Sequence, residues 1–433
     1  MGADPYLAET AGRPAVKRGA RWLAVIEAAH VRETQDAEYL GWLAYSDGKY
    51  DQAARWLKLG KGDSPAALWL QAKLERRAGK LNEAVRSMVR AWEGVRDVAT
   101  YTGWQSPETQ DSTPEEGTGF SDSQRWTLHQ SASGDLAGLH LARADFVESL
   151  DTFLKGGLWS DGAFIAERVL TADELKTYVD QRPADISPAN SLREQQPATL
   201  RYLLGRRLVR EDRYTEAIGY LPPIYQKVLE RYRKGLDDGA NASLTKPERA
   251  RALFTAAWIA RFDGMELMGT EGAPDAFTDN GNFEEIDLAK QRLGGTYVHV
   301  SWAPGGVERK ETLPIPLRPS AQEKQRLSKK TVQPDLRFHY RFIAVALAER
   351  AAVLLPDNSN ELADVLNQAG FWIRGRDEKL AGRFYNLIER RAPKTTIGAA
   401  VLAKHWLVDE KGAWSQEQAV AHDALVPPPV EQN

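Results

Sequence analysis

Residues Ala37 to Pro65 read AEYLGWLAYSDGKYDQAARWLKLGKGDSP. Leu40-Gly41, Gly48-x-Tyr50, Ala53, Leu57 and Pro65 fall where a helix-turn-helix unit of ~34 residues needs its small contact residues, its turn and its closing proline. Gly41 and Ala53 are the small residues at which two antiparallel helices touch, whereas Leu40 and Leu57 are apolar filling for the space between neighbouring pairs. Pro65 closes the unit, because proline cannot continue a helix that precedes it.

The pattern recurs. Leu68, Ala72, Gly79, Leu81, Ala84 and Met88 repeat Ala37, Gly41, Gly48, Tyr50, Ala53 and Leu57 at a displacement of 31, since 79 − 48 = 31. A third copy runs through Leu136-Ala137, Ala144, Phe146, Ser149 and Phe153. A fourth runs through Leu204-Gly205, Tyr214, Ala217, Leu221 and Pro222. The last spans Leu362 to Pro393, with Ala369, Ala381 and Tyr385 at the same offsets.

With these residues in place, the chain resembles the tetratricopeptide repeat family over about half its length. The resemblance implies an all-α fold, a right-handed α-solenoid of helix hairpins. It further implies that ligands are held by first-helix side chains lining a concave groove. By that register the groove carries Glu38, Trp42 and Tyr45 in the first repeat, Trp69, Lys73 and Arg77 in the second, and Tyr202, Arg206 and Arg210 in the fourth. Aromatics interleaved with bases suit an extended protein segment bearing acidic or carboxylate groups. The set does not reproduce the Lys-Asn carboxylate clamp of some family members, so binding of chaperone tails is not implied.

Composition agrees with an ordered protein: of 433 residues, 42% are hydrophobic and 27% charged, and the net charge is only −3. Neither general nucleic-acid binding nor adhesion to an anionic membrane is expected from that balance. No apolar run reaches the ~18 residues of a membrane-spanning helix. Cysteine is absent, which removes disulfides, thiolate metal sites and cysteine nucleophiles and favours an oxidising, periplasmic or extracytoplasmic compartment over the cytoplasm. The opening Met-Gly-Ala-Asp-Pro lacks the basic and apolar regions of a signal peptide; it reads either as a cytosolic start or as the start of a chain whose leader was removed.

Taken in order, residues 1–20 read as a flexible arm and 21–100 as the first repeats. Residues 101–125 form a loop with five acids and no base between Gln105 and Ser123. Central helical repeats at 126–268 follow, with Thr171 and Glu174 placed to cap a helix. Residues 269–335 form an irregular insertion, in which Thr296–Trp302 alternates as a strand does and pairs with Glu311–Leu317 in a short β-hairpin. A last repeat and capping helix occupy 336–408, and 409–433 is a polar tail.

The seven histidines are scattered with no HExxH pair, so no metal site is expected. Gly60-Lys61-Gly62-Asp63-Ser64 is a turn before Pro65, lacking the strand a phosphate loop requires. Asp275–Asp287 clusters acids around Gly281, but Ala276 and Thr278 stand where a calcium loop needs carboxylates. Between Gly305 and Lys330 there are four more bases than acids, among them Arg309, Lys310 and Arg318, and this is a second candidate docking surface. The expected function is therefore a non-catalytic scaffold that needs no cofactor and holds a protein or peptide segment, as a subunit of a larger bacterial assembly. The alternative, from a different class, is an enzyme or a carbohydrate- or small-ligand-binding protein with its site between groove and insertion, around Glu266, Asp275 and His299.

Overall fold

The structure, a computed structural model, describes residues 13–98, 122–182, 192–269, 292–300, 308–312, 317–329 and 332–425, apart from positions 32, 33, 36, 61, 295, 335 and 337. Among them the fold is helical except for two short strands. The acidic loop up to residue 121, most of the insertion, including Asp275, and the Pro427–Pro429 run lie outside the described residues, while 122–125 of the expected loop are helical.

The first hairpin is α1 (Arg13–Ala28) followed by α2 (Ala37–Ser46) and α3 (Tyr50–Leu59); α2 and α3 pack on each other. The second pairs α4 (Pro65–Arg77) with α5 (Leu81–Val98). Ser64 caps α4 by accepting the Ala67 N–H at 3.0 Å, and Pro65 stands at the first helical position, where its missing N–H costs nothing. The third consists of α6 (Asp122–Ala142) and α7 (Phe146–Lys155). After it come α8 (Trp159–Phe164), which runs into a π-helical turn, Ile165–Val169, and α9 (Ala172–Asp180), whose Thr171–Glu174 capping box is formed in both directions.

The small residues do what their spacing requires. A Cβ on Gly41 would lie 2.8 Å from the Leu70 side chain and 3.6 Å from Trp56 Cβ, so the helices approach closely there. Ala53, Ala72, Ala84 and Ala137 are buried at the matching places, and a Cβ on Gly205 would meet Leu221 at 2.9 Å. The hairpin turns share one geometry. Gly48 has φ +77° and Gly79 +75°; the following N–H in each case returns to a carbonyl five residues back, Lys49 to Ala44 at 2.8 Å and Lys80 to Glu75 at 2.9 Å. Ala144 (φ 67°) and Asp212 (φ 58°) hold the same turn without glycine. The last repeat departs from the pattern: the close approach falls at Gly370, against Phe384 Cβ at 3.0 Å and Leu407.

The remaining helices are α10 (Leu192–Arg210), α11 (Tyr214–Ala217, extended by a 3-10 turn, Ile218–Tyr220), α12 (Pro223–Ala240), α13 (Lys246–Phe262) and α14 (Gly264–Met268). In the insertion, β1 (Thr296–Val300) pairs antiparallel with β2 (Glu308–Thr312). The second strand lies earlier than the alternation suggests, because Pro314 and Pro316 have no N–H to give a ladder. Then come α15 (Ala321–Leu327), α16 (His339–Val353), α17 (Asn360–Ile373), α18 (Glu378–Arg391), α19 (Thr396–Lys404) and α20 (Ala413–Leu425). Two sequence expectations change: helix begins at Arg13 inside the supposed arm, and residues 413–425 of the supposed tail form α20.

Two compact units emerge. One comprises residues 1–170, 187–196 and 289–328; the other comprises 171–186, 197–288 and 329–433. The first unit has its core between α1, α2 and α3, around Leu23, Leu40 and Trp56, and between α4, α5 and α6, around Trp69, Met88 and Trp92. In it α15 rests on the π-helical turn, where Arg326 donates to the Val169 carbonyl at 3.0 Å. Arg292, bonded to the fully buried Glu323 at 2.7 Å, ties the insertion down. The second unit is built on the packing of α12 on α13, α13 on α16, α16 on α17 and α17 on α18.

Candidate functional site

The first-helix positions of the first unit come together as an aromatic ladder. Trp42 stands edge-on to Tyr45, with centroids 6.1 Å apart, and to Trp69 at 5.9 Å. Tyr45 continues to Tyr50 at 5.3 Å, and the Arg77 guanidinium lies 3.4 Å above the Tyr50 ring. Tyr50, a repeat position with no groove role in the sequence pattern, follows the Gly48 turn, and that position aims it at Arg77 from the next repeat.

Not every expected groove residue is open. Trp69 and Lys73 are buried. The Lys73 ammonium pairs with Asp135 of α6 at 2.5 Å, and the Trp69 indole donates to the same carboxylate at 2.7 Å. Burial alone would raise the Asp135 carboxyl; the charge and hydrogen bond of Lys73, with the indole, outweigh it and hold the carboxyl below its ordinary value. Glu38 accepts from the Ser64 hydroxyl at the start of α4, so it fixes a cap. Trp42 donates to the Ala66 carbonyl at 3.0 Å but stays half-buried, as does Tyr45, while Arg77 is exposed. The surface available to a ligand is therefore the half of the ladder made by Trp42, Tyr45, Tyr50 and Arg77.

In the second unit the expected groove residues are engaged with α14 or buried. Tyr202 donates to the Glu266 carbonyl at 2.7 Å, and Arg210 donates to the Met268 and Gly269 carbonyls at 3.1 Å each. Arg206 is fully buried, its guanidinium 4.5 Å over the Tyr202 ring. Tyr202 and Arg210, both half-buried, thus attach the short helix α14 to α10, and Arg206, being buried, lines no open groove. A polar centre lies beside them. Burial raises the Asp263 carboxyl, against the opposing charges of His422 and Arg231, and His422 Nε2 sits 3.0 Å from Asp263 Oδ1. Burial, with the neighbouring Asp263 charge, raises Glu266 as well. Tyr225 is pushed up to about 12 by burial and by these two carboxyls.

Elsewhere the site candidates thin out. Arg309 and Lys310 lie on β2, and Arg318 is exposed after it; His299 falls on β1. Among the described residues no group of three potential metal ligands converges. A shallow depression of about 370 Å³ lies between α1 and α3, lined by Ile26, Glu27, His30, Val31, Arg55 and Leu59, but Glu27 is spent on Arg55 and Trp56. No described helix is long and apolar enough to cross a membrane. No family model matches the chain, and no curated protein matches its sequence.

Proposed function

We propose that the chain is a non-catalytic scaffold of tetratricopeptide-like helix hairpins, stacked as a right-handed α-solenoid with the β1–β2 hairpin as an outgrowth, and that it holds a protein or peptide segment. The observation that carries this reading is the Trp42–Tyr45–Tyr50–Arg77 face: aromatic rings left partly open, with an exposed guanidinium stacked 3.4 Å over one of them. Tryptophan, tyrosine and arginine are the residues that anchor protein interfaces, because each offers a large apolar surface together with a polar handle. An arginine held flat on a ring also presents its fork to a carboxylate.

The test is fluorescence anisotropy with labelled extended peptides of acidic, neutral and basic composition. The acidic set binds best, and Arg77→Ala or Trp42→Ala weakens it by about tenfold or more, as one lost anchor contact of about 1.4 kcal/mol would. Far-UV circular dichroism stays unchanged. Affinity that ignores both peptide charge and these substitutions sinks the reading.

The enzyme alternative has one observation in its favour, the raised carboxyls of Asp263 and Glu266 beside His422. In the structure His422 joins α20 to this centre, its Nε2 lying 3.0 Å from Asp263 Oδ1.

A further inference from the structure

In the second unit, arginine side chains end on acceptors in several places. Arg231 donates to Gln418 at 2.5 Å, Arg249 to the Gly239 carbonyl at 3.2 Å, Arg383 to Glu349 at 2.8 Å and Arg391 to Asp357 at 2.7 Å. Arg261, in the last turn of α13, and Arg341, in the first turn of α16, do not. Neither guanidinium meets a carboxylate, carbonyl or hydroxyl among the described residues. Each lies instead on a phenylalanine, Arg261 4.9 Å from the Phe262 ring centroid and Arg341 4.6 Å from that of Phe338. Both side chains are half-buried. Their Nε atoms are enclosed without an acceptor, while their terminal nitrogens are not enclosed, so the donor fork of each stays within reach of a ligand.

The two helices pack on each other, and the two charges act on each other. Burial, with the like charge of Arg341, lowers the Arg261 guanidinium to about 10. Arg341 is also ill matched to its own helix. The start of α16 is the positive end of the dipole, and it has neither an acid in its first turn nor a side-chain cap. A third guanidinium, that of Arg376 beyond the end of α17, lies 4.2 Å from the same Phe338 ring. Positive charge is thus gathered where it is partly dehydrated, repelled by its neighbour and opposed by a helix. An enclosed charged donor with no partner destabilises a fold, and a bound ion is one arrangement that removes the penalty.

The chemistry of the donors selects the ion. A guanidinium is planar and offers paired N–H groups at the spacing of carboxylate or phosphate oxygens. Two neighbouring forks bring two positive charges, which a phosphate dianion matches and a single carboxylate does not. Beside them Phe262 is 42% exposed, an apolar flank for the group that carries the phosphate.

We propose that Arg261 and Arg341 form a binding site for a phosphate dianion, free or as the end group of a small monoester. The site shares no residue with the Trp42–Arg77 face and stands whether or not that reading does.

Isothermal titration calorimetry of the full chain tests it at about pH 8, where a phosphate group is mostly dianionic. The probes are inorganic phosphate, phenyl phosphate and acetate. The phosphates bind, and acetate binds about tenfold more weakly or less. Arg261→Gln and Arg341→Gln each lower phosphate affinity by about tenfold or more, whereas Arg383→Gln, at the Glu349 pair, leaves it unchanged. Phenyl phosphate binding the tighter identifies a monoester as the ligand; the reverse order identifies the free ion. Thermal melts give a readout that a merely structural role would not move: phosphate raises the midpoint of the unaltered chain and of Arg383→Gln, but not that of Arg261→Gln or Arg341→Gln. No binding of either phosphate to the unaltered chain, an affinity indifferent to both substitutions, a phosphate-induced rise that persists in both variants, or acetate binding as tight as phosphate overturns the proposal.

Discussion

The Lys73 ammonium lies 2.5 Å from the Asp135 carboxylate, and both side chains are less than a tenth exposed. A pair so placed costs desolvation for each ion, so its value shows chiefly when one partner is taken away. Asp135→Ala leaves a buried ammonium alone and is expected to destabilise the first unit by about 3–5 kcal/mol. Lys73→Met with Asp135→Leu removes both charges and is expected to cost much less. Urea denaturation of the two variants checks this; equal losses would mean that burial of an unpaired charge is not what the single substitution measures.

The same carboxyl gives the first unit a pH dependence of known sign. Its folded-state value is lowered, so as pH falls the unfolded chain takes up the proton first. The contribution is fully present above about pH 4, the ordinary carboxylate range, and is lost as pH drops through the lower folded value. The difference in thermal midpoint between the unaltered chain and Asp135→Asn should therefore shrink below about pH 4. A difference that persists unchanged at low pH would contradict it.

Ala144 sits at φ 67°, where Gly48 and Gly79 sit in the first two repeats. The left-handed conformation costs a residue with a Cβ about 1–2 kcal/mol, partly offset by the lower chain entropy of alanine when unfolded. Ala144→Gly should raise stability by about 0.5–1 kcal/mol, and Gly79→Ala should lower it by a similar amount. Differential scanning calorimetry reads both; a destabilising Ala144→Gly would refute the assignment of a common strained turn.

Gly41 and Gly205 differ in what a methyl group would strike. At Gly41 the obstacle is the end of the Leu70 side chain at 2.8 Å, whereas at Gly205 Leu221 lies at 2.9 Å and the backbone of Tyr220 at 3.2 Å. Overpacking costs of about 1–3 kcal/mol are expected for both alanine variants, with Gly205→Ala the more harmful because a backbone cannot turn aside as a leucine does. Equal midpoints would argue against this difference.

The repeat spacing made the hairpins legible because close helix approach demands residues without bulk, and Gly41, Ala72, Ala137 and Gly205 advertise that demand in any sequence. Other features left no such mark. The buried residues of α20 are polar, so Ser415 and Gln418 look like solvent-facing residues, and the carboxylate that accepts from Ser415, that of Asp364, is 51 residues away. Arg206 reads as a groove-lining base, yet it is fully buried with its guanidinium over the Tyr202 ring. Lys73 lies on the first helix of its hairpin, yet its counter-charge comes from Asp135, 62 residues on. Side-chain periodicity reports which face is apolar; it does not report which charges meet in the folded chain.

The π-helical turn at Ile165–Val169 closes with the Leu170 N–H on the Ile165 carbonyl at 2.9 Å, a span of five residues where an α-helix would use four. The turn thus ends α8 with one surplus residue, and the chain leaves the helix at Leu170, which is extended (φ −70°, ψ 150°). Deleting a single position there restores regular winding but turns Val169 by about 100° about the helix axis, which swings its carbonyl away from Arg326. Variation in chain length among relatives of this protein, if it enters any helix, is expected to enter at that turn, and to be accompanied by a change at Arg326.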